Sequence, residues 1–240
     1  MSESGELFAQ AFAKENISVS ELQLSQFERY FELLIAWNEK INLTAITAPA
    51  DVAVKHFVDS LLAFKMLPED YLKSKTLIDV GTGAGFPGIP LKIMCADLKL
   101  TLFDSLQKRL NFLDIVTNEL KLSAVRTCHG RAEDGGRDKT MREKYDVATA
   151  RAVAKMPVLL EYTLPFVKTG GYFLALKGPE LDDELAVSEH ALKVLGGEVQ
   201  DVGHFSLGDD YTRNIALIKK IAPTPKSYPR KAGTPQKKPL

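Results

Sequence analysis

The residues with the densest chemical meaning run LIDVGTGAGFPGIP, Leu77 to Pro90: four glycines and two prolines directly after a short apolar run. Gly83, Gly85 and Gly88 satisfy the dinucleotide pattern G-x-G-x-x-G. Glycines there let the backbone turn through positive φ and let a ligand approach without meeting a Cβ. Asp79 stands just before them, where a carboxylate can accept loop N–H groups or meet a cationic ligand. Asp104 follows about twenty residues beyond the glycines, the residue type and spacing that grip ribose hydroxyls. Together these residues describe a site for a nucleotide-like ligand, and two ligands fit. NAD brings a pyrophosphate that wants bare N–H groups at a helix N-terminus. S-adenosylmethionine shares the ribose and adenine but carries a sulfonium, an ammonium and a carboxylate in place of phosphate. Pro87 and Pro90 remove two N–H donors from the first turn of the next helix, which favours the second ligand. The pattern acid, apolar, Gly-x-Gly-x-Gly from Asp79 to Gly85 favours it too.

Such a loop must sit between a strand and a helix, and the surrounding pattern supplies both. From Thr76 the chain alternates: strands are predicted at Thr76–Val80, Lys99–Asp104, Ala124–His129, Tyr145–Ala150, Gly171–Lys177, Glu198–Ser206 and Arg213–Lys219. Helices are predicted between the first six, at Gly88–Ala96, Leu106–Lys121, a short piece near Arg131–Lys139, Ala154–Val167 and Leu181–Leu195, the last closed by Gly196-Gly197. That alternation implies parallel strands with crossover helices on both faces. Only LGDDYT separates the last two strands, so they should form an antiparallel hairpin. The expected fold is α/β, a Rossmann-like seven-stranded sheet whose last strand is antiparallel, as in class I S-adenosylmethionine-dependent methyltransferases.

Three regions follow. Residues 1–72 read as a helical N-terminal extension, residues 73–221 as the sheet domain, and residues 222–240 as a basic tail. In the extension, Leu24, Phe27, Phe31, Leu34, Ile35, Asn38 and Ile41 mark one helical face, with Ser25 as N-cap. A second helix should start at Pro49-Ala50-Asp51 and bury Phe57, Val58, Leu61 and Leu62. The tail, APTPKSYPRKAGTPQKKPL, holds five prolines and one glycine in nineteen residues, which predicts an extended segment without helix.

With 240 residues, 45% hydrophobic and 26% charged, the chain can bury a sizeable core without staples. Its 31 basic and 31 acidic residues cancel, yet no Asp or Glu occurs from Tyr211 onward, so the last thirty residues carry +8 and the first 210 carry −8. A basic tail on a neutral protein points to phosphate-rich partners, with Arg230, Lys231, Lys237 and Lys238 as candidate RNA contacts. Cys95 and Cys128 make neither a disulfide framework nor a zinc site, and four scattered histidines make no metal site. No signal peptide and no apolar run of ~20 residues is read. A cytoplasmic, membrane-free and metal-free monomer is expected.

The glycine segment, read as IDVGTGAGFPGIPLKI, closely resembles the corresponding loop of the RsmG (GidB) family of bacterial small-subunit ribosomal RNA methyltransferases. Further matches lie along the whole chain: WNEKINLTAI, HFVDSL, LFDSLQKRLNFL, GRAED, TARAVA, ALKG and YPRKAGTPQKKPL. Shorter members of the family lack the last of these. The resemblance implies transfer of a methyl group from S-adenosylmethionine to N7 of a guanosine in 16S ribosomal RNA, guanosine 527 of a loop near the decoding centre. It implies a partner in 16S rRNA, the small ribosomal subunit or an assembly intermediate. By the same resemblance Gly81 and Phe86 touch the cofactor from the loop, Ala132 and Glu133 flank the adenine, and Arg151 completes the site. Asp79, Gly83, Gly85 and Asp104 join them from the physical reading of the loop.

The residues suit that chemistry. Guanine N7 has an in-plane lone pair and no proton at neutral pH, so transfer needs positioning and exclusion of water but no general base. Accordingly no nucleophile–base pair stands out. Exocyclic-amine methylation usually uses an Asn/Asp-Pro-Pro-aromatic motif after strand four, where this chain has Thr149-Ala150-Arg151-Ala152. Arg151 could bind the methionine carboxylate or the O6 of a docked guanine. His56 and Asp59, one helical turn apart, read as a surface or interdomain pair, and Asn42 as a cap or turn residue. Two other functions compete: an NAD(P)-dependent oxidoreductase, and a non-catalytic ribosome-assembly factor that binds RNA by its tail.

Overall fold

A computed structural model describes residues 2–207 and 211–240. The chain opens with helices α1 (Glu3–Lys14) and α2 (Glu21–Ile41), then α3 (Pro49–Val52), a π-helical segment (Ala53–Val58), α4 (Asp59–Leu61) and α5 (Ala63–Met66). Strands and helices then alternate: β1 (Thr76–Val80), α6 (Gly88–Met94), β2 (Lys99–Asp104), α7 (Gln107–Glu119), β3 (Val125–His129), α8 (Ala132–Gly135), β4 (Tyr145–Arg151) and α9 (Met156–Thr163). A 3₁₀ turn (Leu164–Phe166) leads into β5 (Val167–Lys177), followed by α10 (Leu181–Ala186), α11 (Glu189–Leu195), β6 (Gly197–Ser206), β7 (Thr212–Lys220) and α12 (Thr234–Lys237). The sheet order is β3-β2-β1-β4-β5-β7-β6. The first five strands run parallel, and β7 inserts antiparallel between β5 and β6. All seven expected strands and the terminal hairpin are present; residues 208–210, the centre of its expected turn, lie outside the described residues.

Several boundaries differ from expectation, each for a local reason. Helix α2 begins at Ser20, not Ser25: the Ser20 hydroxyl accepts from Gln23 N–H, and the Gln23 side chain accepts from Ser20 N–H. That capping box adds a polar turn in front of the apolar stripe. The stripe is also broader than one face, with Phe27, Tyr30, Leu33 and Leu34 buried, because α2 packs against α1 on one side and against α6 and α7 on the other. Pro49 opens α3 as expected, and Phe57, Val58, Leu61 and Leu62 are buried, but the run widens into a π turn. The helix expected at Ala154–Val167 stops at Thr163, where Pro165 ends it and Val167 already belongs to β5. The one expected at Leu181–Leu195 breaks at Val187-Ser188 into α10 and α11, and Gly196 closes α11 at φ 78°. The tail is not wholly extended: Gly233 at φ 79° and Pro235 in the first turn start the four-residue helix α12.

The helices of the extension share one apolar core with the α6/α7 face of the sheet. α9, α10 and α11 cover the other face. The first of these cores reaches the glycine loop through a chain of aromatic contacts. Phe8 and Phe27 pack on Phe57 at 5.2 and 4.9 Å between ring centroids, and Tyr30 lies 5.3 Å from Phe86 of the glycine loop. The fully buried Tyr30 hydroxyl donates to Ala84 O at 2.5 Å. Gly85 lies at φ 102°, and a Cβ there would stand 2.6 Å from the Tyr30 oxygen and 2.8 Å from Leu113. Gly85 is therefore a packing glycine, placed for helices α2 and α7.

Tyr30→Phe leaves the Ala84 carbonyl buried without its donor. It should cost about 1–3 kcal/mol of unfolding free energy in a urea titration, with the m-value unchanged.

Candidate active site

The glycine loop leaves β1 where the strand order reverses between β1 and β4, the position at which open α/β sheets hold ligands. Gly81 and Thr82 N–H donate to Phe103 O at 2.8 and 3.1 Å, hooking the loop onto the end of β2. Asp104 at the end of β2 accepts from Gly83 N–H through Oδ2 and from Leu106 N–H through Oδ1, both at 2.9 Å. Beneath the loop, the fully buried Asp79 accepts from Thr82 Oγ1–H at 2.7 Å and Gly88 N–H at 2.9 Å through one oxygen, Oδ2. A Cβ on Gly88 would lie 2.8 Å from that oxygen. The other oxygen, Oδ1, is buried without a partner. Burial pushes the Asp79 carboxyl up to about 6, and its two hydrogen bonds pull against that rise. Asp79 thus ties both ends of the loop from below.

Above the loop lies a pocket whose walls are Gly81, Asp104, Ser105, Ala132, Glu133 and Tyr162, with Val153 at one side. Gly83 presents open backbone at φ 61°: a Cβ there would meet nothing nearer than Gly81 O at 4.0 Å. Ala132 and Glu133 begin α8, which sits close because Gly135 lets Phe103 and Phe166 approach. Glu133 is buried, and its Oε1 accepts from Gly233 N–H at 2.7 Å.

Arg151, the last residue of β4, faces the N-terminal helices. Its Nη1 donates to Asp59 Oδ2 at 2.6 Å and Lys55 O at 3.1 Å, its Nη2 lies 3.2 Å from His56 Nδ1, and its guanidinium carbon stands 4.9 Å from the Phe86 ring centre. Asp59 is fully buried, and its other oxygen accepts from Arg213 Nε at the start of β7. Arg213 in turn donates to the Tyr211 hydroxyl. His56 stacks on Phe86 at 4.5 Å. Burial first, and then the neighbouring Arg151 guanidinium, push His56 down to about 3, so it is neutral. Its Nδ1 also lies 3.0 Å from Lys55 O, and its Nε2 lies 2.9 Å from Thr44 Oγ1, so the ring is held between the arginine, a backbone carbonyl and a hydroxyl.

Of the residues singled out from sequence, the structure gathers Gly81, Asp104, Ala132 and Glu133 on one pocket wall. Phe86 and Arg151 form an adjoining stack, while Asp79 and Gly85 lie beneath the loop. Lys231, Lys237 and Lys238 are exposed. Arg230 is not free: its backbone and side chain make four hydrogen bonds of 2.6–3.1 Å to the fully buried Glu161. The tail that carries it is docked, with Pro229 buried. Sequence reasoning missed Tyr30, Arg213 and Tyr162. An acid inside the apolar run of Phe57, Val58, Leu61 and Leu62 was the available signal, because a carboxylate in a buried stripe requires a cationic partner. Among the described residues no cluster of three or more His, Cys, Asp or Glu could hold a metal ion, and no helix is long and apolar enough to cross a membrane.

A family model described as rRNA small subunit methyltransferase G matches residues 23–215. The chain is 51% identical over 236 residues to the ribosomal RNA small subunit methyltransferase G of Lactobacillus johnsonii, covering 98% of this chain and 99% of that one. It is 52% identical over 239 residues to the protein of the same name from Leuconostoc mesenteroides, covering 99% of each. Among solved structures it resembles a SAM dependent methyltransferase from Aquifex aeolicus, with a TM-score of 0.54 and 18% identity over 74% of this chain and 96% of that one. M. jannaschii TYW2 in complex with AdoMet gives a TM-score of 0.51 and 16% identity over 68% and 77%. These structural likenesses show the fold.

Two outcomes follow from the buried cluster. Asp59→Asn leaves two nearly buried guanidiniums without their carboxylate and should destabilise the protein by about 3–5 kcal/mol in denaturant titration. His56 is neutral when folded and titrates near 6.5 when unfolded. Its contribution is therefore whole above pH 6.5 and lost as pH falls towards about 3. Asp79, raised to about 6 when folded, acts with opposite sign: the cost of its folded ionisation is relieved as pH falls from about 6 to the unfolded value of 3.8. Comparing stability against pH for wild type and His56→Gln isolates the histidine: the variant should lose less stability between pH 6.5 and 4.

Proposed function

Because this chain belongs to the rRNA small subunit methyltransferase G family, we propose that it transfers a methyl group to N7 of a guanosine in 16S ribosomal RNA, guanosine 527 by the family resemblance. The methyl donor is S-adenosylmethionine, which when bound supplies a methyl group already activated by its positively charged sulfur. The RNA is presented within the small subunit or an assembly intermediate, to a monomer in the cytoplasm.

The pocket fits an adenosine with a methionine arm. Asp104 lines the pocket from the end of β2, is held by two backbone N–H groups with Arg109 3.5 Å away, and is suited to accept from a ribose diol. Ala132 and Glu133 form the wall that would flank the adenine. Gly83 offers open backbone to the methionine arm, and Gly81 lines the pocket with Val153 packed against it. Arg151 has spent two of its five N–H groups on Asp59 and Lys55, with Nη2 beside His56. Its remaining donors can take the methionine carboxylate, while the Phe86 face beneath it fixes the plane of the guanidinium. The neutral His56 is enclosed by Arg151, Lys55 O and Thr44, so it serves the arginine and takes no proton from the substrate. A lone pair on guanine N7 needs none taken, so these residues act by binding, orientation and exclusion of water.

The observation that carries this reading is the meeting of Gly81, Asp104, Ala132 and Glu133 on one pocket at the sheet's switch point, in a chain about half identical along its length to named rRNA methyltransferases. N7-methylguanosine should be present in 16S rRNA from cells that carry the gene and absent when the gene is deleted. Purified protein with labelled S-adenosylmethionine should restore it on small subunits from the deletion strain. Label on an exocyclic amine or a pyrimidine carbon, or binding of NAD in place of S-adenosylmethionine, would overturn the proposal.

A further inference from the structure

The basic tail has a second relation to the pocket, separate from its charge. From Thr224 onward it is tied to the sheet domain at successive points. Arg142 donates to Thr224 O at 2.6 Å and Tyr228 O at 2.7 Å, and Arg137 Nε donates to Pro229 O at 2.7 Å. Pro229 packs against Gly136, where a Cβ would lie 3.0 Å from its Cγ. Arg230 then clamps Glu161 of α9, and three residues later Gly233 N–H donates to Oε1 of Glu133. Glu133 lines the pocket, and so does Tyr162, the neighbour of Glu161. The tail therefore reaches both elements, α8 and α9, that build this wall. Glu133 is buried, and an N–H donor holds its carboxylate in one orientation. The lysines Lys231, Lys237 and Lys238 remain exposed and have no part in these contacts.

We propose that residues 228–240 act as a strap that positions Glu133, with Gly233 as the positioning residue, and so sets the affinity of the pocket for the adenosine end of its ligand. The proposal rests on the S-adenosylmethionine reading of that pocket. The strap's backbone does this work, and its lysine charges are free for another partner. By linkage the effect is reciprocal: ligand in the pocket must also tighten the strap.

Two measurements on the full-length protein test this. Hydrogen exchange of wild type should show the amides of residues 230–235 slowed when S-adenosylmethionine is added. Calorimetry should show Gly233→Pro, which lacks the N–H and cannot take φ 79°, weakening S-adenosylmethionine binding about tenfold. In turnover, the variant's KM for S-adenosylmethionine should rise while kcat at saturation holds. Glu133→Gln keeps an acceptor for Gly233 and should retain most of the affinity, whereas Glu133→Ala should match Gly233→Pro and add nothing when combined with it. Neutralising Lys231, Lys237 and Lys238 together should leave binding within twofold. If wild type binds S-adenosylmethionine but its tail amides do not respond, the strap is overturned, whatever the fate of the variants. If the lysine variant weakens binding as much as Gly233→Pro, the effect is one of charge and the proposal fails. If wild type does not bind S-adenosylmethionine at all, the reading of the pocket falls first and the strap with it.

Discussion

A single carboxylate, Asp59, holds three parts of this molecule against one another. It has no solvent exposure, and its two oxygens are taken by Arg151 at the end of β4 and Arg213 at the start of β7. Burying an ion is tolerable only when opposite charge and hydrogen bonds replace its water, and here two guanidiniums do so. The consequence is geometric. Asp59 begins α4 directly after a π turn, so the helical extension is clamped to the centre of the sheet and to the terminal hairpin at one point. That clamp fixes the plane of the Arg151 guanidinium over Phe86, and His56 completes the stack from the same turn.

The loop over which this cluster stands divides its labour between two sides. Below it, Asp79 gathers the Thr82 hydroxyl and the Gly88 amide, while Gly85 lets Tyr30 and Leu113 close up to the backbone. Above it, Gly83 leaves its backbone open, and Gly81 lets Val153 pack close beside the pocket. A glycine-rich segment that looks uniform thus holds packing glycines at Gly81, Gly85 and Gly88 and an open one at Gly83. The prolines fit the same division. Pro87 caps the start of α6 and Pro90 lies in its first turn, where a missing N–H costs nothing. Asp79 accepts from the first amide of this helix, Gly88, and Gly85 O from the second, Ile89.

The tail shows how charge and position separate. Five of the eight cations in the last thirty residues belong to it, yet the contacts that dock it are few and specific. Arg230 on Glu161 is a forked pair against a fully buried carboxylate, while the lysines stay in solvent. Arg142 and Arg137, from the body of the protein, hold tail carbonyls. Docking of this kind satisfies the backbone of a proline-rich segment that can form neither a long helix nor a sheet strand.

Local order was legible in the sequence by itself. Strand periodicity, the Gly196 stop, the Pro49 start and the LGDDYT gap led to seven strands and an antiparallel ending, because each is a short-range steric or periodic signal. The glycine loop with Asp79 and Asp104 stood out for the same reason, and the fold sets it at the switch-point edge of the sheet. Only the tertiary structure decided which groups that edge faces. His56 and Asp59 announced a pair but not its partner, since Arg151 and Arg213 lie far along the chain. Tyr30 lay outside the apolar face marked by spacing, and only the fold brought the loop carbonyl of Ala84 to it. Arg230 counted as a free cation until Glu161, buried on α9, claimed it. Composition records how many charges a chain carries. Whether a charge faces a ligand, water or a buried counter-ion depends on contacts between distant segments, and those exist only once the chain has folded.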